Sequence, residues 1–189
     1  MNTLRKDALL NRQRIENKAI ELFKQYGVET ISMNRISKEL GIGMGTLYRH
    51  FKDKSDLCYH IIEHDFDEII QKMNDVAASS NSKEEKMEHS LDVFLTFKYE
   101  NSDLLNCIEE SNSKSQFHQS QFFSDLFNFY YDLFKDGEDD SWAIFKTDML
   151  LKSLSTKAYE IQKNKRQLSN NEISCLLYTS DAADEEDSV

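Results

Sequence analysis

The chain has 189 residues, 39% hydrophobic and 30% charged, which is enough for one sizeable core or two smaller cores that share a helix. No stretch approaches the ~18 consecutive apolar residues of a membrane span. The charged N-terminus lacks the apolar run of a secretory signal, and three widely separated cysteines are typical of a reducing compartment, so we expect a cytoplasmic protein with no membrane partner.

The net charge of −11 is unevenly distributed along the chain. Residues 1–60 carry eleven Lys and Arg against seven Asp and Glu, whereas residues 61–189 carry twelve against twenty-seven. Because a polyanion responds to the local face of a protein, the basic N-terminal part stays a candidate for nucleic-acid binding.

Apolar residues at helical spacing predict three helices in this basic part, over residues 9–26, 33–40 and 44–51. Gly27 and Gly41 follow the first two helices, where a glycine tolerates the left-handed backbone that ends a helix. Ser32 lies where it can cap the second helix. Two short helices joined by a glycine-containing turn predict a helix-turn-helix, within a DNA-binding domain over residues 1–54.

The second helix of such a motif contacts base edges with its first turn, and side chains beside it contact phosphates. Leu47 and Phe51 form a predicted buried pair, which leaves other side chains to face outward. The candidates for DNA contact are Met44, Thr46, Tyr48, Arg49 and His50, followed by Lys52 and Lys54. A packed aromatic is the alternative for Tyr48, and solvated surface charge is the alternative for the lysines.

Residues 19–57, AIELFKQYGVETISMNRISKELGIGMGTLYRHFKDKSDL, closely resemble the DNA-binding domain of the TetR/AcrR family of transcriptional regulators. The resemblance implies an all-α homodimer, with a three-helix helix-turn-helix head followed by a helical ligand-binding and dimerisation body. We therefore expect a repressor that binds a palindromic DNA operator and releases it when a small-molecule effector binds. We expect no enzyme activity, cofactor or metal; the alternative is a helical protein-interaction module without DNA binding.

The resemblance also implies roles for single residues. It assigns phosphate contacts to Tyr48, His50 and Lys54. It places four residues near bases or the neighbouring DNA backbone: Asn34, Met44, Thr46 and Arg49. Ser32 and Met33 match the start of a helix where a hydroxyl commonly contacts phosphate. The chain departs from the family at Gly43, where serine is common, and Met44 cannot hydrogen-bond a base strongly, so Arg49 and Asn34 are the better candidates for base reading.

A long amphipathic helix over residues 55–74 opens a second domain, which we expect to span residues 55–174. Further helices are predicted over residues 84–100, 102–111, 115–135 and 141–164, and residues 169–174 resemble the capped start of another. The resemblance implies that the last two helices form the dimer. The predicted apolar side of 141–164 contains Trp142, Phe145, Met149, Leu150 and Leu154.

Residues 116–134 contain six Phe and two Tyr. Aromatic helix surfaces can line a ligand pocket, although a core role is the favoured interpretation. The candidate ligand-binding residues are Phe122, Phe123, Phe127 and Tyr130, with Glu109 and His118 as polar partners for a cationic ligand.

CLLYTSDAADE, residues 175–185, resembles the in-frame translation of a transposase-based sequencing adapter. We therefore expect residues 175–189 to be a disordered tail of that origin, with an ordinary acidic tail as the alternative. On this interpretation the dimerisation domain is truncated, and the homodimer is expected for the intact parent protein.

HIIEH, residues 60–64, fits the H-x-x-E-H pattern, in which two histidines one helical turn apart bind Zn²⁺ beside a catalytic glutamate. The match consists of three residues, and His and Glu at this spacing are common on polar helix faces. A zinc peptidase is therefore the least favoured interpretation.

Overall fold

The computed structural model describes the backbone of residues 3–110, 117–135, 137 and 139–182, and the side chains of residues 7–177 within those ranges. The described residues form helices joined by turns and contain no strand, as the sequence predicts. The helices are α1 Thr3–Tyr26, α2 Met33–Leu40, α3 Met44–His50, α4 Lys54–Ser79, α5 Lys83–Glu100, α6 Ser102–Glu110, α7 Gln121–Phe134, α8 Asp140–Ser153, α9 Thr156–Glu160, which continues as a π-helix over Ile161–Lys165, and α10 Asn170–Ala182. No described helix combines the length and apolar character that a membrane crossing requires.

The chain divides into two compact units, and α4 contributes to both. The head unit comprises Met1–His64 and Asp103–Lys114, and the body unit comprises Asp65–Ser102 and Ser115–Val189. The head unit is larger than the predicted domain 1–54, because it includes the first part of α4 and nearly all of α6. Leu57 and Ile62 of α4 and Leu105 of α6 are buried, so these helices add apolar side chains to the head.

The core of the head unit is built from one face of each of its first three helices. Ile15 and Ala19 of α1, Ile36 of α2 and Leu47 of α3 are almost inaccessible to solvent, as is Phe51 directly after α3. The predicted buried pair of Leu47 and Phe51 is therefore confirmed. Burial of each large side chain stabilises the fold by about 1.5–3 kcal/mol relative to exposure.

An aromatic cluster forms part of the core of the body unit. The rings of Phe66 and Phe122 stack with centroids 4.0 Å apart, and the rings of Phe94, Phe97 and Phe117 lie around them. Helix α5 begins beside Ser82, whose hydroxyl accepts a hydrogen bond from the backbone N–H of Glu85. This cap fixes the start of α5 at Lys83, one residue before the predicted start at residue 84.

The predicted helix 141–164 is interrupted, because α8 ends at Ser153 and α9 begins at Thr156. The hydroxyl of Ser153 donates to the carbonyl oxygen of Leu150, a local bond that competes with regular helix propagation. The buried Nζ of Lys98 on α5 donates to the hydroxyl of Thr156 at 2.8 Å. This contact joins residues distant in sequence, which helical periodicity does not reveal.

Helix α10 begins with the cap that residues 169–174 predict. The hydroxyl of Ser169 accepts from the N–H of Glu172, while the Ser169 N–H donates to the Glu172 carboxylate. The helix continues to Ala182, so residues 175–182 are helical where the sequence predicts a disordered tail. Ile173 and Ser174 are buried in the body unit, which anchors the start of this helix. The rest of that predicted tail, residues 183–189, lies outside the described residues.

Candidate DNA-binding surface

The turn between α2 and α3 is held by backbone and side-chain bonds. Gly41 adopts a left-handed conformation with φ of 65°, which a residue with a Cβ adopts only at a cost of about 1 kcal/mol or more. The N–H of Ile42 donates to the carbonyl oxygen of Ser37, and the Ser37 hydroxyl donates to the carbonyl oxygen of Ile42 at 2.7 Å. These bonds fix α3 relative to α2.

Ser37 is a positioning residue that the sequence analysis missed. Its side chain is buried and lies on the same stripe of α2 as Met33 and Ile36. A serine within an apolar stripe was the available signal, because a buried hydroxyl requires a hydrogen-bond partner.

The first turn of α3 is open to an approaching molecule. Gly43 caps the helix without a side-chain hydrogen bond, as the departure from the family pattern predicts. A Cβ built on Gly45 would meet nothing within 4 Å, so this glycine does not serve close packing within the described residues.

Helix α3 presents a polar face opposite the buried Leu47. Tyr48 is 48% exposed, which does not fit a packed aromatic, and Arg49 is exposed as well. Met44, Thr46 and His50 are each partly exposed. All five candidate residues of this helix therefore have accessible surface.

The guanidinium of Arg49 is folded back along its own helix. Its Nη2 donates to the hydroxyl of Thr46 at 3.2 Å, and its Nε donates to the carbonyl oxygen of Gly45 at 3.4 Å. Both bonds are solvent-exposed and long, so each is weak and easily exchanged for a bond to a base or phosphate.

The two lysines after α3 have different surroundings. The Lys52 side chain is exposed, while its backbone N–H donates to the Asp56 carboxylate at 2.8 Å. The Nζ of Lys54 donates to the carbonyl oxygen of Glu29 at 3.3 Å and so connects α4 to the segment before α2. Lys54 is therefore a structural contact as well as a candidate phosphate contact.

The three DNA-contact candidates at the start of α2 differ in exposure. Ser32 and Asn34 are exposed, and the hydroxyl of Ser32 accepts from the N–H of Arg35 at 3.3 Å. Met33 is only 7% exposed and belongs to the core, so the expectation that its side chain contacts DNA is wrong. The apolar stripe of α2 places Met33 inward, beside Ile36.

The histidine pair at 60–64 has no zinc-binding arrangement. The Nδ1 of His60 donates to the Glu63 carboxylate at 2.9 Å, and its Nε2 lies 3.6 Å from the Asp56 carboxylate. Of these two contacts, only the one at Nδ1 is within hydrogen-bond distance. Among the described residues, no group of three or more His, Cys, Asp or Glu could hold a metal ion.

The six candidate ligand residues are divided between the two units. Glu109 lies in the head unit, whereas the other five lie in the body unit. Phe122 is a core residue of the aromatic cluster, and Tyr130 is fully buried. Burial raises the pKa of the Tyr130 hydroxyl, an effect that the neighbouring hydroxyl of Ser90 partly offsets.

The remaining three candidates are accessible. His118 is exposed, and its ring lies 4.7 Å from that of the half-buried Phe123. Phe127, also half-buried, stacks with Tyr131 at 6.1 Å. A separate cavity of about 280 Å³ in the body unit has none of the six candidates among its described lining residues, which include Leu95, Leu154, Tyr159 and Arg166.

Known proteins resemble both the helix-turn-helix region and most of the rest of the chain. Residues 15–60 match the family model of bacterial regulatory proteins, tetR family. An HTH-type transcriptional regulator of Staphylococcus aureus strain USA300 is 57% identical over 166 residues, which cover 88% of this chain and 89% of the relative.

Solved structures share the fold. FadR from Bacillus subtilis in complex with stearoyl-CoA aligns with a TM-score of 0.61 and 15% identity, over 88% of this chain and 95% of FadR. A SmeT–triclosan complex aligns with a TM-score of 0.54 and 16% identity, over 91% and 90%. The relative of high identity and the family-model match, not these structures, show that the chain belongs to the tetR family of bacterial regulatory proteins and is a helix-turn-helix transcriptional regulator, not an enzyme.

Proposed function

We propose that the chain is a repressor that binds an operator in double-stranded DNA through α3 and the residues on either side of it. The observation that carries the proposal is the polar face of α3, where Tyr48 and Arg49 are exposed opposite the buried Leu47. The basic excess of residues 1–60 supports it, because cationic side chains displace counterions from the phosphate backbone. Because it acts on DNA, we place the protein in the cytoplasm.

The side chains of this surface divide by chemistry. Arg49 and Asn34 carry the donors that base edges require, so we assign base reading to them. The residues assigned to phosphates or to the adjacent backbone are Ser32, Met44, Thr46, Tyr48, His50, Lys52 and Lys54. This division predicts separate effects on specificity and on overall affinity.

A homodimer, expected for the intact parent protein, completes the proposal. On α8, Trp142, Phe145 and Met149 are 45%, 50% and 50% exposed, and the rings of Trp142 and Phe145 stack. An apolar patch of this kind indicates a protein partner. A second copy of the chain fits, because a two-fold dimer repeats one patch and places two recognition helices about 34–36 Å apart on a palindromic operator.

The dimer is tested by sedimentation of the Trp142→Ser/Phe145→Ser double variant. We expect a monomer where the unchanged chain is dimeric, because the double variant removes aromatic surface from the interface. The matched control is Tyr99→Ser on α5, an aromatic residue 61% exposed and outside the patch. A double variant that dimerises as well as the control would contradict the assignment.

We further propose that a small-molecule effector binds the body unit and contacts His118, Phe123 and Phe127, the accessible members of the predicted set. Stearoyl-CoA and triclosan, present in complexes of two structural neighbours, are suitable first probes. Either compound should raise the melting temperature of the chain if it binds the folded state, and Phe123→Ala should reduce the effect.

Operator binding is tested by nuclease protection of the DNA directly upstream of the gene, at low ionic strength. We expect a protected, roughly palindromic site that the Tyr48→Ala/Arg49→Ala variant does not protect. The absence of protection by the unchanged chain would favour a helical protein-interaction module without DNA binding.

A further inference from the structure

The cavity of about 280 Å³ in the body unit extends from the core to the surface. Its described lining comes from α5, from the end of α8, from α9 with its π-helical continuation, and from α10. Leu95, Leu154, Tyr159 and Ile173 are buried and form its inner end. Arg166 is exposed and lies at its outer end. The cavity is therefore apolar inside and accessible to a ligand from solvent.

Most of the cavity wall lies outside the segment that resembles an adapter. Leu176 and Leu177 line the cavity and belong to that segment, whereas all other described lining residues precede it. The Tyr159 hydroxyl donates to Oδ1 of Asn170 at 2.9 Å, and the Nζ of Lys163 donates to the same oxygen at 3.3 Å. These two bonds hold the start of α10 against α9 and the π-helix, so residues before position 175 fix the walls.

An irregular turn shapes the outer end of the cavity. The π-helix covers Ile161–Lys165, and Gln167 has a left-handed backbone with φ of 60°. The carbonyl oxygen of Gln162 accepts from the N–H of Leu168 at 3.1 Å, which turns the chain back so that both residues line the cavity. π-helical turns and left-handed residues other than glycine are uncommon, and both occur disproportionately at functional sites.

Arg166 gives the cavity a positive charge at its outer end. Among the described lining residues, it is the sole charged side chain. Its Nη1 donates to the Oε1 of Gln162 at 2.9 Å, which holds the guanidinium beside the cavity. A guanidinium has five N–H donors in a planar fork, so further donors remain for a carboxylate. Charge and shape together favour a ligand with an apolar tail and a carboxylate head.

We propose that this cavity binds a small aliphatic monocarboxylate, with its tail between the buried leucines and its carboxylate on Arg166. At about 30 Å³ for each group of the size of a water molecule or a methylene, about 280 Å³ holds about nine such groups. This size corresponds to a fatty acid of medium length. None of the proposed effector contacts His118, Phe123 and Phe127 is among the described lining residues, so this is a second site. Binding there does not depend on the proposed DNA-binding function.

Calorimetric titration of the full chain with sodium octanoate tests the site. We expect one octanoate to bind per chain. Shortening the tail to hexanoate should weaken binding by about fourfold for each methylene removed, because each methylene loses its burial in the cavity. Lengthening the tail to dodecanoate should add far less per methylene, since the cavity is then full. The neutral 1-octanol should bind about fivefold more weakly than octanoate, because it lacks the charge that pairs with Arg166.

Three variants locate the bound octanoate. Arg166→Gln should weaken octanoate binding by about fivefold and leave 1-octanol binding unchanged. Ala158→Phe places a ring in the cavity that Ala158 lines, so it should abolish the binding of both compounds; either variant suffices if the other does not fold. Lys165→Gln is the matched control, because it removes a positive charge from an exposed neighbouring residue that is not among the described lining residues. It should bind octanoate like the unchanged chain.

Several results would overturn the site. Octanoate that does not bind, that binds at many weak sites, or that binds a folded Ala158→Phe chain as before would show that this cavity is not its receptor. An affinity that keeps rising fourfold per methylene up to dodecanoate would contradict the size of the cavity. Equal binding of octanoate and 1-octanol, or equal losses in Arg166→Gln and Lys165→Gln, would refute recognition of the carboxylate by Arg166.

Discussion

Replacing Arg49 with alanine is the most direct test of base reading by α3. In the free protein the Arg49 guanidinium bonds only weakly to Thr46 and Gly45, on the exposed surface of its own helix. A bidentate contact of this group with guanine discriminates between bases by about 1–3 kcal/mol. The variant therefore loses a contact made in the specific complex and little else.

The expected loss of affinity follows from comparing the Arg49 side chain in the free protein with the same side chain in the DNA complex. The intrahelical bonds that Arg49 must release contribute a few tenths of a kcal/mol each, on the scale of exposed side-chain pairs on a helix. They reduce the net gain on binding only slightly, so Arg49→Ala should weaken operator binding by about 5- to 150-fold. Binding to random DNA should change far less, because there the guanidinium reads no base.

The assay is a titration of operator and random DNA at several salt concentrations. Lys52→Ala is the matched control, because its side chain is exposed. It should weaken binding to both DNAs alike and lower the slope of log affinity against log salt by about 0.9. Lys54→Ala should act in the same direction but also releases the Glu29 carbonyl. An Arg49→Ala variant that loses equal affinity for operator and random DNA would refute base reading by this residue.

Three further predictions concern the body unit. Phe122→Ala should lower the free energy of unfolding by about 3–5 kcal/mol in a denaturant titration, because Phe122 stacks on Phe66 in the core; a loss no larger than that of the half-buried Phe127→Ala would contradict a core role. Thr156→Val should cost about 1.5–3 kcal/mol in the same assay, since it removes a hydroxyl acceptor from the buried ammonium of Lys98; a neutral result would show that other contacts suffice. The backbone N–H and hydroxyl of Ser169 lower the pKa of Glu172, so the stability from this cap is present above the usual glutamate pKa and is lost as pH falls through the lower folded value. The protection of the Ser169 amide from exchange, relative to its intrinsic exchange rate at each pH, should therefore fall in acid, and Glu172→Gln should remove that carboxylate-dependent change.

The sequence predicts the head well because its signals are local. Gly41 marks the end of α2, and the spacing of Leu47 and Phe51 identifies the buried face of α3. Each depends on residues within one or two helical turns. Met33 was the exception, because a match to a family position does not by itself indicate which side of a short helix is buried.

The body is less predictable because its decisive contacts join distant residues. The Lys98–Thr156 hydrogen bond spans 58 positions and lies at the interruption between α8 and α9. Helix α6 likewise groups with the head unit although its sequence follows α5. Helical periodicity assigns residues to a face but does not identify what covers that face.

In helix α8, the apolar side predicted from the sequence differs from the side that is buried. The sequence places Trp142, Phe145, Met149, Leu150 and Leu154 on a single apolar side, yet only the two leucines are buried. The buried face of α8 also includes Ala143 and Thr147. A helix surrounded by its own chain would bury its largest side chains, since burial of a Trp or Phe stabilises the fold more than burial of Ala or Thr. The aromatic residues on the outer face of α8 therefore stay available to the homodimer proposed above.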